Sequence, residues 1–133
     1  MKALMFLLAS IVSVNSMTIR AALSQVESGD NDSAIGTHGE VSRFQIMPHV
    51  WRTFGRKLNP RKADAAWFVA EKVLEARTMY FEGAFGRKPT ARELYALWNA
   101  PGMLAHARGN LTLLPKKIQE RCERFENLVN STR

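Results

Sequence analysis

The sequence predicts a small, mainly α-helical single domain, and three observations carry that expectation. Apolar residues recur at 3.6-residue spacing along most of the chain, while strand-type alternation never persists beyond a few residues. Helix start and stop signals punctuate the periodic stretches: Gly29, Asn59-Pro60, Gly86, Thr90 with Glu93, and Pro115. The 133 residues, 46% hydrophobic and 23% charged, suffice for one compact core and not two, and differ from a disordered composition.

Taken in order, Met1-Lys2 precedes an apolar run from Ala3 to Val14 and the small, polar Asn15-Ser16. That is the pattern of an export signal over residues 1–16, leaving a domain over 17–133. The run falls short of the ~20 residues that span a bilayer. An uncleaved anchor or a buried first helix is the alternative. No cysteine adjoins the cleavage site, which argues against a lipid anchor. A helix follows from Thr18 to Ser28, with Ile19, Ala22, Leu23 and Val26 on one face and Gly29 as its left-handed cap. Asp30 to Gly39 reads as a polar loop, with Asp30 and Asp32 as solvated turn residues. Val41 to Pro48 leads into a short helix ending at Phe54-Gly55.

Asn59-Pro60 reads as the start of a long helix reaching Phe85. Its expected face carries Ala65, Phe68, Val69, Val73, Ala76, Met79 and Tyr80, widened by Trp67 and Phe81. Thr90-Ala91-Arg92-Glu93 is a capping box, opening a helix with Leu94, Leu97 and Trp98. The last amphipathic helix follows Pro115, with Ile118, Cys122, Phe125 and Val129 together. Cys122 is the only cysteine, so no intramolecular disulfide forms, and its place on an apolar face makes it a small hydrophobe. Phe-Gly-Arg-Lys occurs at 54–57 and again at 85–88, which two glycine-capped helix ends explain without a repeat.

Nineteen Lys and Arg against twelve Asp and Glu give a formal net charge of +7, a field that favours nucleic acid, membrane surfaces or anionic wall polymers. The export signal argues against nucleic acid. Lys116, Lys117, Arg121 and Arg124 read as a solvated face of the last helix, with docking on an anionic polymer or lipid as the functional alternative. His38, His49 and His106 lack ligand spacing and no Cys/His cluster exists, so neither a metal nor a cofactor is expected. A phosphate-binding glycine loop and a Gly-x-Ser-x-Gly elbow are also absent.

One acid stands out. Glu27 closes the first helix at the edge of its apolar face, where partial burial and the negative end of the helix dipole both favour the protonated carboxyl. A glycosidase needs such an acid to protonate a leaving oxygen. Three blocks then occur in order: Glu27-Ser28-Gly29; Gly39 with Gln45-Ile46-Met47-Pro48; and Leu97-Trp98-Asn99-Ala100-Pro101-Gly102. Together they resemble the soluble lytic transglycosylase family and its goose-type lysozyme relatives, over about residues 20–102.

That resemblance implies a lysozyme-like fold and an exported enzyme, periplasmic or extracellular, acting as a monomer on peptidoglycan glycan strands. Glu27 would be general acid and then base at the β-1,4 bond between N-acetylmuramic acid and N-acetylglucosamine, giving a 1,6-anhydro end. It implies that Ser28 and Gln45 position the sugar, that Trp98, Asn99 and Tyr80 line the cleft, and that Ser42 belongs to the same binding loop. Ser42-Arg43-Phe44-Gln45 departs from the family's Gly-Leu-Met-Gln, and the third block lacks a glycine before Pro101. Glu40 is a second candidate catalytic carboxylate: holding a water, it would make the enzyme a hydrolytic lysozyme, and paired with Arg43 it would be structural. A non-catalytic cationic wall-binding protein is the alternative outside enzymology. The small size suggests, by analogy, service to a secretion, conjugation or phage machine.

Overall fold

Residues 16–131 are described by the structure, a computed structural model, so the apolar run read as an export signal lies outside them. Helix α1 spans Ile19–Ser28. It starts at Thr18, whose hydroxyl accepts a bond from the Ala21 amide at 3.2 Å, and ends at Gly29 with φ 63°. That left-handed cap, which a glycine adopts without a Cβ penalty, lets its amide reach the Gln25 carbonyl. Pro48 at the first helical position opens α2, Pro48–Phe54.

Helix α3 spans Ala63–Phe85, so it begins after Asn59-Pro60, not at them. The Asn59 side chain accepts from the Arg61 amide at 2.9 Å and its carbonyl from the Lys62 amide at 3.1 Å. The asparagine therefore closes a turn of its own and competes with helix initiation at that point. The buried face also differs from the expected one. Ala66, Val69, Ala70, Val73, Leu74 and Phe81 are inside, whereas Phe68, Met79 and Tyr80 are exposed, Tyr80 by 68%. Apolar residues occur on most sides of α3, so periodicity fits more than one stripe; the stripe that wins carries the small Ala66 and Ala70, which permit close packing.

Helix α4, Ala91–Asn99, is the centre of the molecule, packed against α3, against α5 (Pro101–His106) and most extensively against α6 (Lys116–Asn130). Glu93, Tyr95, Ala96, Leu97 and Trp98 are all buried, because neighbours cover α4 on several sides. The capping box forms: Thr90 Oγ1 accepts from the Glu93 amide at 3.3 Å, and the Glu93 carboxylate accepts from the Thr90 amide at 3.0 Å. Arg87 donates two bonds of 2.8 Å to the same carboxylate. Helix α5 was not expected, although Pro101 is a start signal; a 3-10 turn at Leu111–Leu113 then leads to α6.

Helix α6 also packs on α1, and the Met17 amide donates to the Leu128 carbonyl at 2.9 Å. Cys122 is buried there, and desolvation pushes its thiol up to about 11, as befits a core residue. Among the described residues, β structure is limited to two isolated antiparallel bridges, Ile35 with Val41 and Val41 with Ile46. The chain is thus mainly helical and forms one small domain. No described helix is long and apolar enough to cross a membrane.

Candidate active site

The bridged loop and residues of five helices, α2 through Val50, line a cleft of about 340 Å³. α1 contributes Glu27; the loop contributes Gly36, His38, Glu40 and Gln45; α3 contributes Arg77; α4 contributes Trp98 and Asn99; α6 contributes Lys117 and Arg121.

Glu27 is half-buried at the end of α1. Tyr95 Oη donates to its Oε1 at 2.5 Å. Desolvation raises the Glu27 pKa above the usual carboxylate range; the Tyr95 bond and the Arg121 charge pull it down, and the Glu40 charge pushes it up, with burial prevailing. The protonated form is the one this setting favours. Since Oε1 accepts from the phenol, Oε2 is the oxygen left to carry a proton when the carboxyl is protonated. Burial and the adjoining Glu27 carboxyl raise the Tyr95 phenol as well, so it stays a donor.

The loop is built to hold Glu40 and Gln45 in place. Gly36 donates from its amide to the Glu40 carbonyl at 2.9 Å, and the Val41 and Ile46 amides exchange bonds of 2.8 Å with each other's carbonyls. A Cβ on Gly36 would lie 2.2 Å from Glu40 Oε2 and 2.7 Å from Gln45 Oε1, so a side chain there would push both cleft groups from these positions. Glu40 Oε2 accepts from the His38 amide at 2.8 Å, and Oε1 lies 3.4 Å from the His38 ring. Backbone donors and His38 hold the Glu40 pKa below its ordinary value. Glu40 is therefore braced by His38 and not by Arg43. Arg43 instead donates two bonds, of 2.7 and 2.9 Å, to Asp32. Asp32 is thus held below its usual pKa, chiefly by that guanidinium, and Asp30 accepts from Ser24 Oγ at 2.5 Å. Neither aspartate is a freely solvated turn residue.

Of the expected substrate-binding residues, Gln45, Trp98 and Asn99 line the cleft. Gln45 spends its amide hydrogens on the carbonyls of Ser42 at 2.9 Å and Ala34 at 3.3 Å, which leaves Oε1 as the atom it offers. Ser28, Ser42 and Tyr80 do not reach the cleft. Ser28 Oγ donates to the Arg43 carbonyl at 2.7 Å and accepts from the Asn31 amide at 3.0 Å, tying α1 to the loop. Ser42 is buried with φ 72°, a left-handed conformation costly for serine, and its hydroxyl accepts from the Phe44 amide at 3.1 Å. The glycine expected there by resemblance has a conformational reason, and serine adopts the same turn with help from its own side chain. Tyr80 stands exposed on the outer face of α3.

Arg77, Lys117 and Arg121 line the cleft without having been expected there, and Tyr95 reaches Glu27 from the core behind it. Tyr95 was hidden because α4 buries residues on several sides, so no stripe singled it out. Arg77 falls between Val73 and Phe81 on the buried stripe of α3, and a cation on an apolar row is the signal that could have found it. It donates to the carbonyls of Leu97 at 3.0 Å and Trp98 at 2.5 Å, satisfying the end of α4, and its guanidinium stands 5.9 Å from the Trp98 ring. Desolvation lowers its pKa without threatening its charge. Lys117 and Arg121, read as a solvated face, line the cleft instead. Among the described residues no group of three His, Cys, Asp or Glu is placed to hold a metal ion. Comparison with protein-family models, with curated proteins and with solved structures found no match.

Proposed function

We propose that this protein is a peptidoglycan lytic transglycosylase on a lysozyme-like scaffold, exported to act on glycan strands. The observation that carries the reading is a desolvated Glu27 lining a sugar-sized cleft, its pKa raised by burial and its Oε1 held by Tyr95. Glu27 Oε2 gives its proton to the β-1,4 oxygen as the bond from muramoyl C1 breaks, and N-acetylglucosamine leaves with a free hydroxyl. The new Glu27 carboxylate then takes the proton of the muramoyl C6 hydroxyl as that oxygen bonds to C1, which closes the 1,6-anhydro ring and restores the acid. Water takes no part. Gln45 Oε1 accepts from a sugar N–H or hydroxyl, and Trp98 with Asn99 forms the opposite wall.

A second reading, hydrolysis, is favoured by one observation: Glu40 lines the same cleft with its pKa lowered while that of Glu27 is raised. Two carboxyls pushed apart in this way are the pair an inverting hydrolase uses, the ionised one activating water. Against it, both Glu40 oxygens are engaged with His38, one through the His38 amide. Product analysis decides. Anhydro-muramoyl ends from wild type and none from Glu27→Gln support the lyase; free reducing ends support the hydrolase. Equal clearing of peptidoglycan by wild type and Glu27→Gln would exclude Glu27 as the acid, and binding without cleavage would leave a non-catalytic wall-binding protein.

A further inference from the structure

Two cations of the cleft touch no reacting atom in either mechanism. Lys117 and Arg121, one turn apart on α6, both line it. Neither lies within ion-pair distance of a carboxylate among the described residues, although Glu120 and Glu123 share their helix. Five other cations are paired among the described residues: Arg20 with Asp64, Arg43 with Asp32, Lys72 with Glu75, Arg87 with Glu93 and Arg92 with Glu126. Lys117 also sits in the first turn of α6, a turn without an acidic residue, where a cation opposes the helix dipole. The cleft therefore keeps two cations that no described carboxylate meets at ion-pair distance, although the Arg121 charge also acts on Glu27 and Tyr95.

We propose that Lys117 and Arg121 bind carboxylates of the peptide stem carried by the muramoyl lactyl group, so that the enzyme selects strands with free stem carboxylates. This inference rests on the wall-cleaving reading of the same cleft. The two side chains belong to the α6 wall of the cleft that also holds Glu27, and Arg121 is close enough to act on its charge, so they are within reach of a substituent on a sugar seated at Glu27. A lysine and an arginine at this spacing suit a flexible chain with more than one carboxylate: the guanidinium grips one by paired bonds and the ammonium meets another.

The test measures kcat/KM on soluble peptide-bearing glycan strands and on the same strands with stem carboxylates converted to amides. The ratio of the two cancels any effect of a substitution on folding or on Glu27 acidity, which matters because Arg121 is close enough to shift Glu27. The expected result is a wild-type preference of about tenfold for the free carboxylates, falling to about one in the Lys117→Gln, Arg121→Gln double variant. Lys116→Gln with Arg124→Gln removes the same charge from α6 residues that do not line the cleft, and it should keep the wild-type preference. A wild-type ratio near one, an unchanged ratio in the cleft double variant, or an equal fall in both double variants would overturn the proposal. Cleavage of neither strand type by wild type would overturn the wall-cleaving reading itself, a different result from cleavage without preference.

Discussion

Two glutamates, Glu27 and Glu93, both meet helix α4, and their pKa values move in opposite directions. Glu93 lies in the first turn of α4, where Arg87 and the Thr90 amide hold it ionised, with its pKa lowered to about 2. Glu27 meets the middle of α4 through Tyr95, whose single neutral hydroxyl does not offset its desolvation. The first carboxylate lies at the positive end of a helix and the second at the negative end of one. A carboxylate with a cation and a helix start around it is held ionised; at Glu27 burial outweighs the phenol and the Arg121 charge, and the pKa rises. Removing each should therefore damage different properties.

The largest effect is expected on activity. Glu27→Gln should lower peptidoglycan cleavage by about 10³-fold, the scale of losing a positioned general acid. Folding should survive, with a gain in stability at neutral pH. The sign follows from the raised pKa: a folded-state value above the unfolded one favours protonated Glu27, so the native state loses stability as pH rises through it. Glutamine has no proton to lose. Thermal melts of both proteins across that range would show the gap opening toward high pH and closing in acid; a gap that opens toward acid would contradict the assignment.

Glu93→Gln should do the reverse, costing about 2 kcal/mol of stability through the lost charge and the broken paired bonds to Arg87, the capping box itself being one glutamine can still close, with cleavage per folded molecule retained. Here the folded pKa lies below the unfolded one, so the contribution is complete above the ordinary carboxylate range and is lost as pH falls toward about 2. The difference between wild type and variant in denaturant melts should shrink along that descent. An equal fall in specific activity would mean that α4 positions the acid through its capping box as well as through Tyr95.

A smaller and sharper effect belongs to Tyr95→Phe. Loss of one hydrogen bond at a half-buried carboxyl costs about 1 kcal/mol. The Tyr95 bond pulls the Glu27 pKa down, so its removal raises that pKa and keeps the acid protonated to higher pH. The alkaline limb of the rate profile should move upward even as the maximum rate falls. A limb that moves downward would mean that Tyr95 acts chiefly on the protonated form.

Why Glu93 and Glu27 differ in legibility follows from the same physics. Thr90 to Glu93 is a local signal, complete within four consecutive residues, and the capping box forms as read. Gly29 and Gly86 are equally local and end their helices in the left-handed region. Glu27 was legible as an acid on an apolar edge, but its partner Tyr95 stands in another helix, and nothing local connects them. The roles of Ser28 and Ser42 went astray for a related reason: a hydroxyl in a loop can serve substrate or backbone, and here the backbone of 31, 43 and 44 takes both. Glu40 was read as a cleft carboxylate correctly and as a partner of Arg43 wrongly, because Asp32 offers that guanidinium a paired contact.

Tyr80 gives the smallest expected effect and the cleanest check on where the cleft ends. An aromatic residue on a helix between two motif blocks invites assignment to the sugar path, yet α3 turns it outward, with Met79 beside it also exposed. The apolar residues of α3 surround the helix, so sequence periodicity alone left two registers open, and Arg77 marks the inward one by reaching the end of α4. Tyr80→Ser should accordingly change stability by no more than about 0.5 kcal/mol and leave cleavage within error of wild type. Arg77→Met, on the inward row, should cost about 1–3 kcal/mol by leaving the Leu97 and Trp98 carbonyls without their donor, and should weaken substrate binding by loosening Trp98. If Tyr80→Ser proved the more damaging to cleavage, glycan would have to cross the outer face of α3, and the cleft between Glu27 and α6 would be the wrong groove.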